Sequence, residues 1–143
     1  MENLIEQKRV VLDFMKSQKL AALATADERG KPEVAMVDFS ETGDLEVVVT
    51  TLIIYRKYRN LSQNKNVALA IGGADNITVQ YEGAATELSR EEFKKFAAYH
   101  IAKNPIEEKF AAMPEARFFK ISPTWIRYSN YAAKPNEIFE IKF

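Results

Sequence analysis

The spacing of apolar residues predicts an amphipathic helix at the start of the chain. Over residues 3–19, apolar side chains recur every three or four positions, and charged residues occupy most of the remaining surface. This period matches the 3.6-residue turn of an α-helix with one buried face. The predicted stripe and its neighbours are Leu4, Ile5, Lys8, Val11, Leu12 and Met15.

Runs of small apolar and β-branched residues predict strands through much of the remaining chain. Turns around Gly30 and Gly43 separate the first three, which are expected to form two successive antiparallel hairpins. The predicted strands cover residues 20–26, 34–39, 45–51, 67–71, 77–84, 117–121, 125–128 and 138–143.

Helical segments interrupt these strands. Residues 54–64 are polar and basic and end at an Asn-Lys-Asn sequence. Ser89 and Glu92 match a capping box at the start of a helix over residues 90–103, and a short helical piece precedes Met113. A mainly β chain with a few helices predicts a small barrel with helical additions.

Composition narrows the class of protein. A chain of 143 residues, 47% hydrophobic and 28% charged, predicts a single domain over residues 1–143. Its 20 basic and 20 acidic residues cancel, which argues against a nucleic-acid or acidic-membrane binder. The absence of cysteine excludes thiol chemistry and disulfides, and a single histidine excludes a multi-histidine metal site, so no metal is predicted. Without a signal peptide or a long apolar segment, a cytoplasmic protein with no membrane partner is expected.

The segment around residues 50–65 carries the clearest candidate chemistry. Thr50 and Thr51 end a predicted strand, and Arg56 and Lys57 begin the helix that follows. Hydroxyls, a guanidinium, an ammonium and free helix N–H groups are what a phosphate monoester needs. A solvated basic helix face is the alternative. The Gly-rich loop of nucleoside-triphosphate hydrolases is absent.

Four motifs follow one another between residues 20 and 131. They are residues 23–27 with Gly30 and Pro32; Thr51 followed by Arg56-Lys57 and residues 60–69; residues 78–85 with Glu82-Gly83; and residues 119–123 leading into residues 125–128. In this order they resemble the FMN-binding split-barrel family related to pyridoxamine 5′-phosphate oxidase.

The resemblance implies a mainly β fold, a six-stranded antiparallel split β-barrel with helical additions, and a homodimer with FMN sites at its interface. It further implies an oxidoreductase that acts on a small-molecule substrate, with NAD(P)H as hydride donor. No catalytic side chain is singled out. The implied cofactor contacts are Thr50, Thr51, Arg56 and Lys57 at the phosphate; the backbone of Val34, Ala35, Met36 and Val37 beside the ring; and Thr78, Gln80, Trp125 and Arg127 from the partner chain.

The chain departs from true pyridoxamine phosphate oxidases. Those enzymes carry an arginine and a lysine on the strand that matches residues 33–39, whereas this chain has no basic residue between Lys31 and Arg56. Tyr55 stands where the family has a serine, and Thr78 where it has a glutamine. The expected activity is therefore related to vitamin B6 oxidation but different from it.

Other interpretations remain open. A non-enzymatic carrier of flavin, haem or deazaflavin fits the same resemblance. A third interpretation is a small-barrel module that binds nucleic acid or another protein, and the neutral net charge disfavours it. His100 is expected at the surface near a helix C-terminus, with haem ligation or acid catalysis as the alternative. Trp125, Arg127, Tyr128 and Tyr131 could cover a planar ring or pack at a core or dimer seam. The aromatic residues expected to pack helices on the barrel are Phe93, Phe96, Tyr99, Phe110, Phe118 and Phe119.

Overall fold

One antiparallel sheet of eight strands organises the computed structural model, which describes residues 3–143. The strands are β1 (Leu20–Ala26), β2 (Pro32–Asp38), β3 (Ser40–Glu41), β4 (Val47–Leu52), β5 (Asn66–Gly72), β6 (Ile77–Leu88), β7 (Ala116–Asn130) and β8 (Glu137–Lys142). The helices are α1 (Leu4–Ser17), α2 (Arg56–Gln63), α3 (Arg90–Lys103) and α4 (Glu107–Ala111). The strand order is β2-β1-β5-β6-β7-β4-β3, and β8 also pairs with β7.

The long strand β7 makes the sheet curl. Its first part pairs with β4 and its second part with β8, while β6 pairs along both parts. Sequence analysis predicted two strands here, which is wrong. Thr124 is an extra residue between the pairs Glu82–Trp125 and Gly83–Pro123, so the strand continues through a bulge. A side chain at Gly83 would lie 2.5 Å from the carbonyl oxygen of Ser122.

The predicted second hairpin forms around the turn that contains Gly43, but its first strand is β3 and not the predicted strand over residues 34–39. β1 pairs with β2 as expected, but β4 pairs with the two-residue strand β3 and with β7. The turn that reverses the chain contains Leu45, whose φ is 63° and whose side chain is buried. After β2 the chain therefore crosses to the other end of the strand order, where β3 pairs with β4.

Two hydrophobic clusters fill the fold. The main cluster packs α1 against the concave face of the sheet, and Val11 and Met15 of the predicted stripe are fully buried in it, although Leu4 and Ile5 are exposed. The second cluster joins α3 and α4 to the sheet. Four of the six predicted aromatic residues pack there and Phe119 packs in the main cluster, but Tyr99 is 46% exposed. The members of the second cluster are Val48, Leu52, Leu88, Phe93, Ala116 and Phe118, with Phe96, Ala97, Phe110, Ala111 and Met113 against it.

His100 lies in the interior, so its predicted surface position is wrong. Its Nδ1 is 2.7 Å from the hydroxyl of Ser40 and its Nε2 is 2.8 Å from the carboxylate of Glu107. All three residues are buried. Hydrogen bonds to both ring nitrogens offset the cost of removing the imidazole from water.

A second buried polar group joins α3 to β3. The carboxylate of Glu41 accepts hydrogen bonds from Lys103 and from the hydroxyl of Tyr99. Removal from water and this hydrogen bond raise the pKa of Tyr99 to about 12. The Lys103 ammonium also lies 3.9 Å from the centre of the Phe39 ring. Helix α3 is therefore tied to β3 mainly by polar contacts.

Candidate functional site

A cavity of about 140 Å³ opens between the edge strand β2 and the start of α2. We call it the Arg56–Lys57 pocket. It contains two of the predicted phosphate ligands and two of the residues predicted beside the ring. Its lining residues are Leu23, Thr25, Glu33, Val34, Ala35, Tyr55, Arg56 and Lys57.

The start of α2 is electrostatically positive. Tyr55 is the N-cap residue, its side chain makes no capping hydrogen bond, and the first turn has no acidic residue. Uncapped N–H groups and the helix dipole both favour an anion at this position. Arg56 and Lys57 add two cationic groups to the same end of the helix. The arrangement can bind an anionic group such as a phosphate.

The two cationic side chains differ in environment. The guanidinium of Arg56 is 73% exposed and its Nη1 lies 2.8 Å from Oε2 of Glu33. Lys57 is partly buried, with its ammonium 5.3 Å from the centre of the Tyr55 ring. Burial lowers the pKa of Lys57 below the usual lysine range. An anion at Lys57 would therefore relieve a desolvated charge.

The two predicted threonines face different directions. The hydroxyl of Thr50 lies 3.5 Å from Nε2 of His100, on the side of α3. Thr51 is 2% exposed and its hydroxyl oxygen has no hydrogen-bond partner. Neither residue lines the pocket. A buried hydroxyl without a partner costs free energy.

The residues predicted to come from the partner chain lie on the opposite face from the main core. Directly paired residues point to the same face of a sheet, and two such rows cross five strands. We call this surface the outer face. One row is Met36, Ala22, Ala70, Gln80 and Arg127, and the other is Val34, Ala24, Ala68, Glu82 and Trp125.

Within one chain, the residues predicted beside the flavin ring lie far from the residues predicted to come from the partner chain. Neighbouring strands are about 4.8 Å apart, so Gln80 lies three strands, or roughly 14 Å, from Met36. Thr78 lies on the same strand as Gln80, and Trp125 and Arg127 are one strand farther away. Ala35 and Val37 belong to the rows that face the interior. One chain therefore brings together Val34, Ala35, Arg56 and Lys57. The residues predicted to come from the partner chain lie on the same sheet, three or four strands away.

Trp125 and Arg127 share one partner on β8. The indole Nε1 donates to Glu140 at 3.1 Å, and Nη1 of Arg127 donates to the second carboxylate oxygen at 3.2 Å. Tyr128 is buried and stacks on Phe139, whereas Tyr131 is 54% exposed. The predicted aromatic–basic cluster is thus divided between the core and the outer face.

Sequence reasoning missed three polar residues at the pocket. Nδ2 of Asn60 donates to Glu33 at 2.6 Å and to the hydroxyl of Thr25 at 3.1 Å. Glu33 pairs directly with Thr25 across β1 and β2. The only sequence signal is an acidic residue, Glu33, at the start of a strand whose central residues are apolar, and its role depends on where α2 packs.

Within residues 3–143, no group of three or more acidic, cysteine or histidine side chains could hold a metal ion. The helices of this same part of the chain are all too short or too polar to cross a membrane.

Comparisons with solved structures show the same fold in several proteins of low sequence identity. HutZ, the heme storage protein from Vibrio cholerae, is 21% identical with a TM-score of 0.71, over 86% of this chain and 91% of HutZ. General Stress Protein 26 from Bacillus anthracis is 22% identical with a TM-score of 0.70, over 95% of this chain and 99% of that protein. A heme binding protein from Mycobacterium smegmatis is 16% identical with a TM-score of 0.81, and this chain spans 59% of its length.

A search of curated proteins found no significant match. The family model for pyridoxamine 5′-phosphate oxidase, in contrast, matches residues 8–130. This match covers most of the chain, including α2 and strands β1 to β7, and the curled antiparallel sheet with peripheral helices confirms the predicted split-barrel fold. The chain therefore belongs to the pyridoxamine 5′-phosphate oxidase family.

Proposed function

We propose that this protein binds FMN, with the flavin phosphate in the Arg56–Lys57 pocket, and acts as a flavin-dependent oxidoreductase on a small molecule. The observation that carries the proposal is the pair of cationic side chains at the uncapped start of α2, facing one cavity with β2. Membership of the family supports a phosphorylated cofactor.

The residues at the pocket would contact different parts of the cofactor. Arg56 and Lys57 supply charge-assisted hydrogen bonds to the phosphate, and the edge strand β2 presents backbone groups of Val34 and Ala35 beside the pocket. A bound flavin supplies hydride transfer at its ring, with NAD(P)H as the proposed donor. The protein supplies binding and orientation, so no acidic or basic side chain has to lie at the reacting atoms.

We infer that the working form is a homodimer joined through the outer face. Val34 is 70% exposed and Met36 is 63% exposed, and alanines of β1 and β5 lie between them and Gln80. Exposed apolar side chains grouped on one face of a sheet are typical of a protein interface. A second copy packed here would bring its Gln80, Trp125 and Arg127 toward the β2 edge, which one chain cannot do.

Replacing Val34 and Met36 with glutamate is expected to convert the dimer into monomers, because four new charges would be buried at a two-fold interface. Light scattering after gel filtration measures the mass. Ile5→Glu is the matched control, since Ile5 is 82% exposed on α1, away from the outer face. A double variant that stays dimeric would show that the interface lies elsewhere.

A haem carrier is the second candidate, favoured by the heme proteins among the similar structures. The chain has one histidine, and His100 is fully buried with both ring nitrogens hydrogen-bonded. Histidine ligation of haem iron would require this core to open. The structure of this chain therefore favours flavin over a histidine-ligated haem.

Titration of the purified protein with FMN, riboflavin and haem tests the proposal. Flavin fluorescence is expected to be quenched by saturable FMN binding, with riboflavin bound more weakly because it lacks the phosphate. Bleaching of the bound flavin by NADH or NADPH would distinguish an enzyme from a carrier. Failure to bind FMN would refute the proposal, whichever result haem gives.

The affinity for FMN is expected to fall as the pH rises above the pKa of Lys57 in the free protein. Burial lowers this pKa, so the loss begins at a lower pH than for an exposed lysine. Bound phosphate favours the protonated amine, so the affinity is complete below the pKa of the free protein and decreases above it. Lys57→Arg should hold its affinity over the same range, because its guanidinium stays charged. Fluorescence titrations at stepwise pH measure both curves, and parallel curves would remove Lys57 from the phosphate site.

A further inference from the structure

Glu33 places a negative charge inside the Arg56–Lys57 pocket. One carboxylate oxygen lies 2.8 Å from Nη1 of Arg56, and the side chain is only 20% exposed. An anionic ligand that uses Arg56 must therefore share the guanidinium with this carboxylate or displace it. Either event opposes binding of a second negative charge.

The structure also holds Glu33 in place. Its other carboxylate oxygen accepts a hydrogen bond from Nδ2 of Asn60 at 2.6 Å. Asn60 is 1% exposed, and its side-chain oxygen has no hydrogen-bond partner. If Glu33 turned away, the buried amide would lose one of the two acceptors of its Nδ2, the other being the hydroxyl of Thr25. The carboxylate is therefore a fixed part of the pocket, and a ligand would meet it there.

The charges in the pocket do not balance. Arg56 and Lys57 contribute two positive charges and Glu33 removes one, so a phosphate dianion meets a net charge of about +1. A guanidinium has five N–H donors, which allows Arg56 to bridge a carboxylate and a phosphate. Bridging keeps two anions near one cation, and their repulsion lowers the affinity.

We propose that Glu33 is an internal counter-ion that occupies Arg56 and limits the affinity of the pocket for phosphorylated ligands. The inference rests on the proposed phosphate site and adds a residue that tunes it. Glu33 opposes the dianionic phosphate and has little effect on the uncharged ring of a flavin. It therefore reduces the advantage of FMN over riboflavin and favours a cofactor that can exchange.

The test compares Glu33→Gln with the wild-type protein. Glutamine keeps an oxygen that can accept from Asn60 and removes the charge. We expect FMN and inorganic phosphate each to bind about tenfold more tightly, with riboflavin unchanged. Glu28→Gln is the matched control, because it removes the same charge from the exposed turn between β1 and β2 and should change none of the three affinities. Thermal unfolding checks that both variants fold.

Two measurements separate this inference from the proposed function. Calorimetry with inorganic phosphate examines the pocket without a flavin ring, and fluorescence titration examines FMN. Tighter phosphate binding by Glu33→Gln, with FMN bound by neither protein, would support the counter-ion and refute flavin binding. FMN binding that Glu33→Gln leaves unchanged or weakens would overturn the counter-ion and leave the flavin proposal standing. Binding of neither ligand by either protein would overturn both.

Discussion

Replacing Arg56 and Lys57 together with alanine is expected to weaken FMN binding by at least about 100-fold. Each charge-assisted hydrogen bond contributes about 1.5–3 kcal/mol, so two such bonds amount to roughly 3–6 kcal/mol. Fluorescence titration measures the loss. Arg56 is exposed and Lys57 is partly buried, and neither belongs to a hydrophobic cluster, so the variant should fold normally.

The matched control removes the same two charges from neighbouring positions. Arg59 and Lys65 are exposed and do not line the pocket. Their double alanine variant has the same net charge as the test variant. Any loss of FMN affinity in this control therefore measures long-range electrostatic attraction alone. An equal loss of affinity in both variants would mean that α2 attracts FMN without binding its phosphate at Arg56 and Lys57.

Lys103→Met is expected to destabilise the fold by about 3–4 kcal/mol, because it leaves the buried carboxylate of Glu41 without its cation. The exposed fractions of the two side chains are 7% and 0%. The variant also loses the hydrogen bond from Lys103 to the carbonyl oxygen of Met15, which is 3.1 Å long. Urea unfolding followed by circular dichroism measures the change in free energy.

The same helix provides the control. Lys94 pairs with Glu91 at 2.9 Å, but the two side chains are 72% and 83% exposed. Lys94→Met should therefore cost less than about 1 kcal/mol. Replacing both Glu41 and Lys103 with apolar residues should recover part of the stability lost in Lys103→Met. Similar losses at Lys94 and Lys103 would contradict the importance of burial.

Features encoded by nearby residues could be predicted from the sequence. The capping box of α3 forms as expected, because Ser89 and Glu92 are three residues apart and act within one helical turn. Helix α1 and the hairpin of β1 and β2 also depend on local spacing and one turn. Local periodicity alone predicted a small barrel of unspecified type, and the family motifs identified it as a split barrel.

Features that depend on distant pairs could not be predicted. His100 looked like a surface residue because its partner Ser40 lies 60 positions earlier in the chain. The pairing of Glu33 with Arg56 depends on how α2 packs against the edge strand, which no local pattern encodes. The sequence therefore indicated the cations of the pocket and missed the anion that faces them.

The anchoring of β3 by α3 also affects the order in which the protein can mature on the ribosome. Ser40 and Glu41 leave the ribosome some 60 residues before their partners on α3. Until residues 99–107 emerge, Ser40 and Glu41 of a nascent chain lack the side chains that they contact in the folded protein. The contacts that hold this end of the sheet to α3 must therefore wait for synthesis of the C-terminal third, and a partly made chain is exposed to chaperones and to aggregation until then.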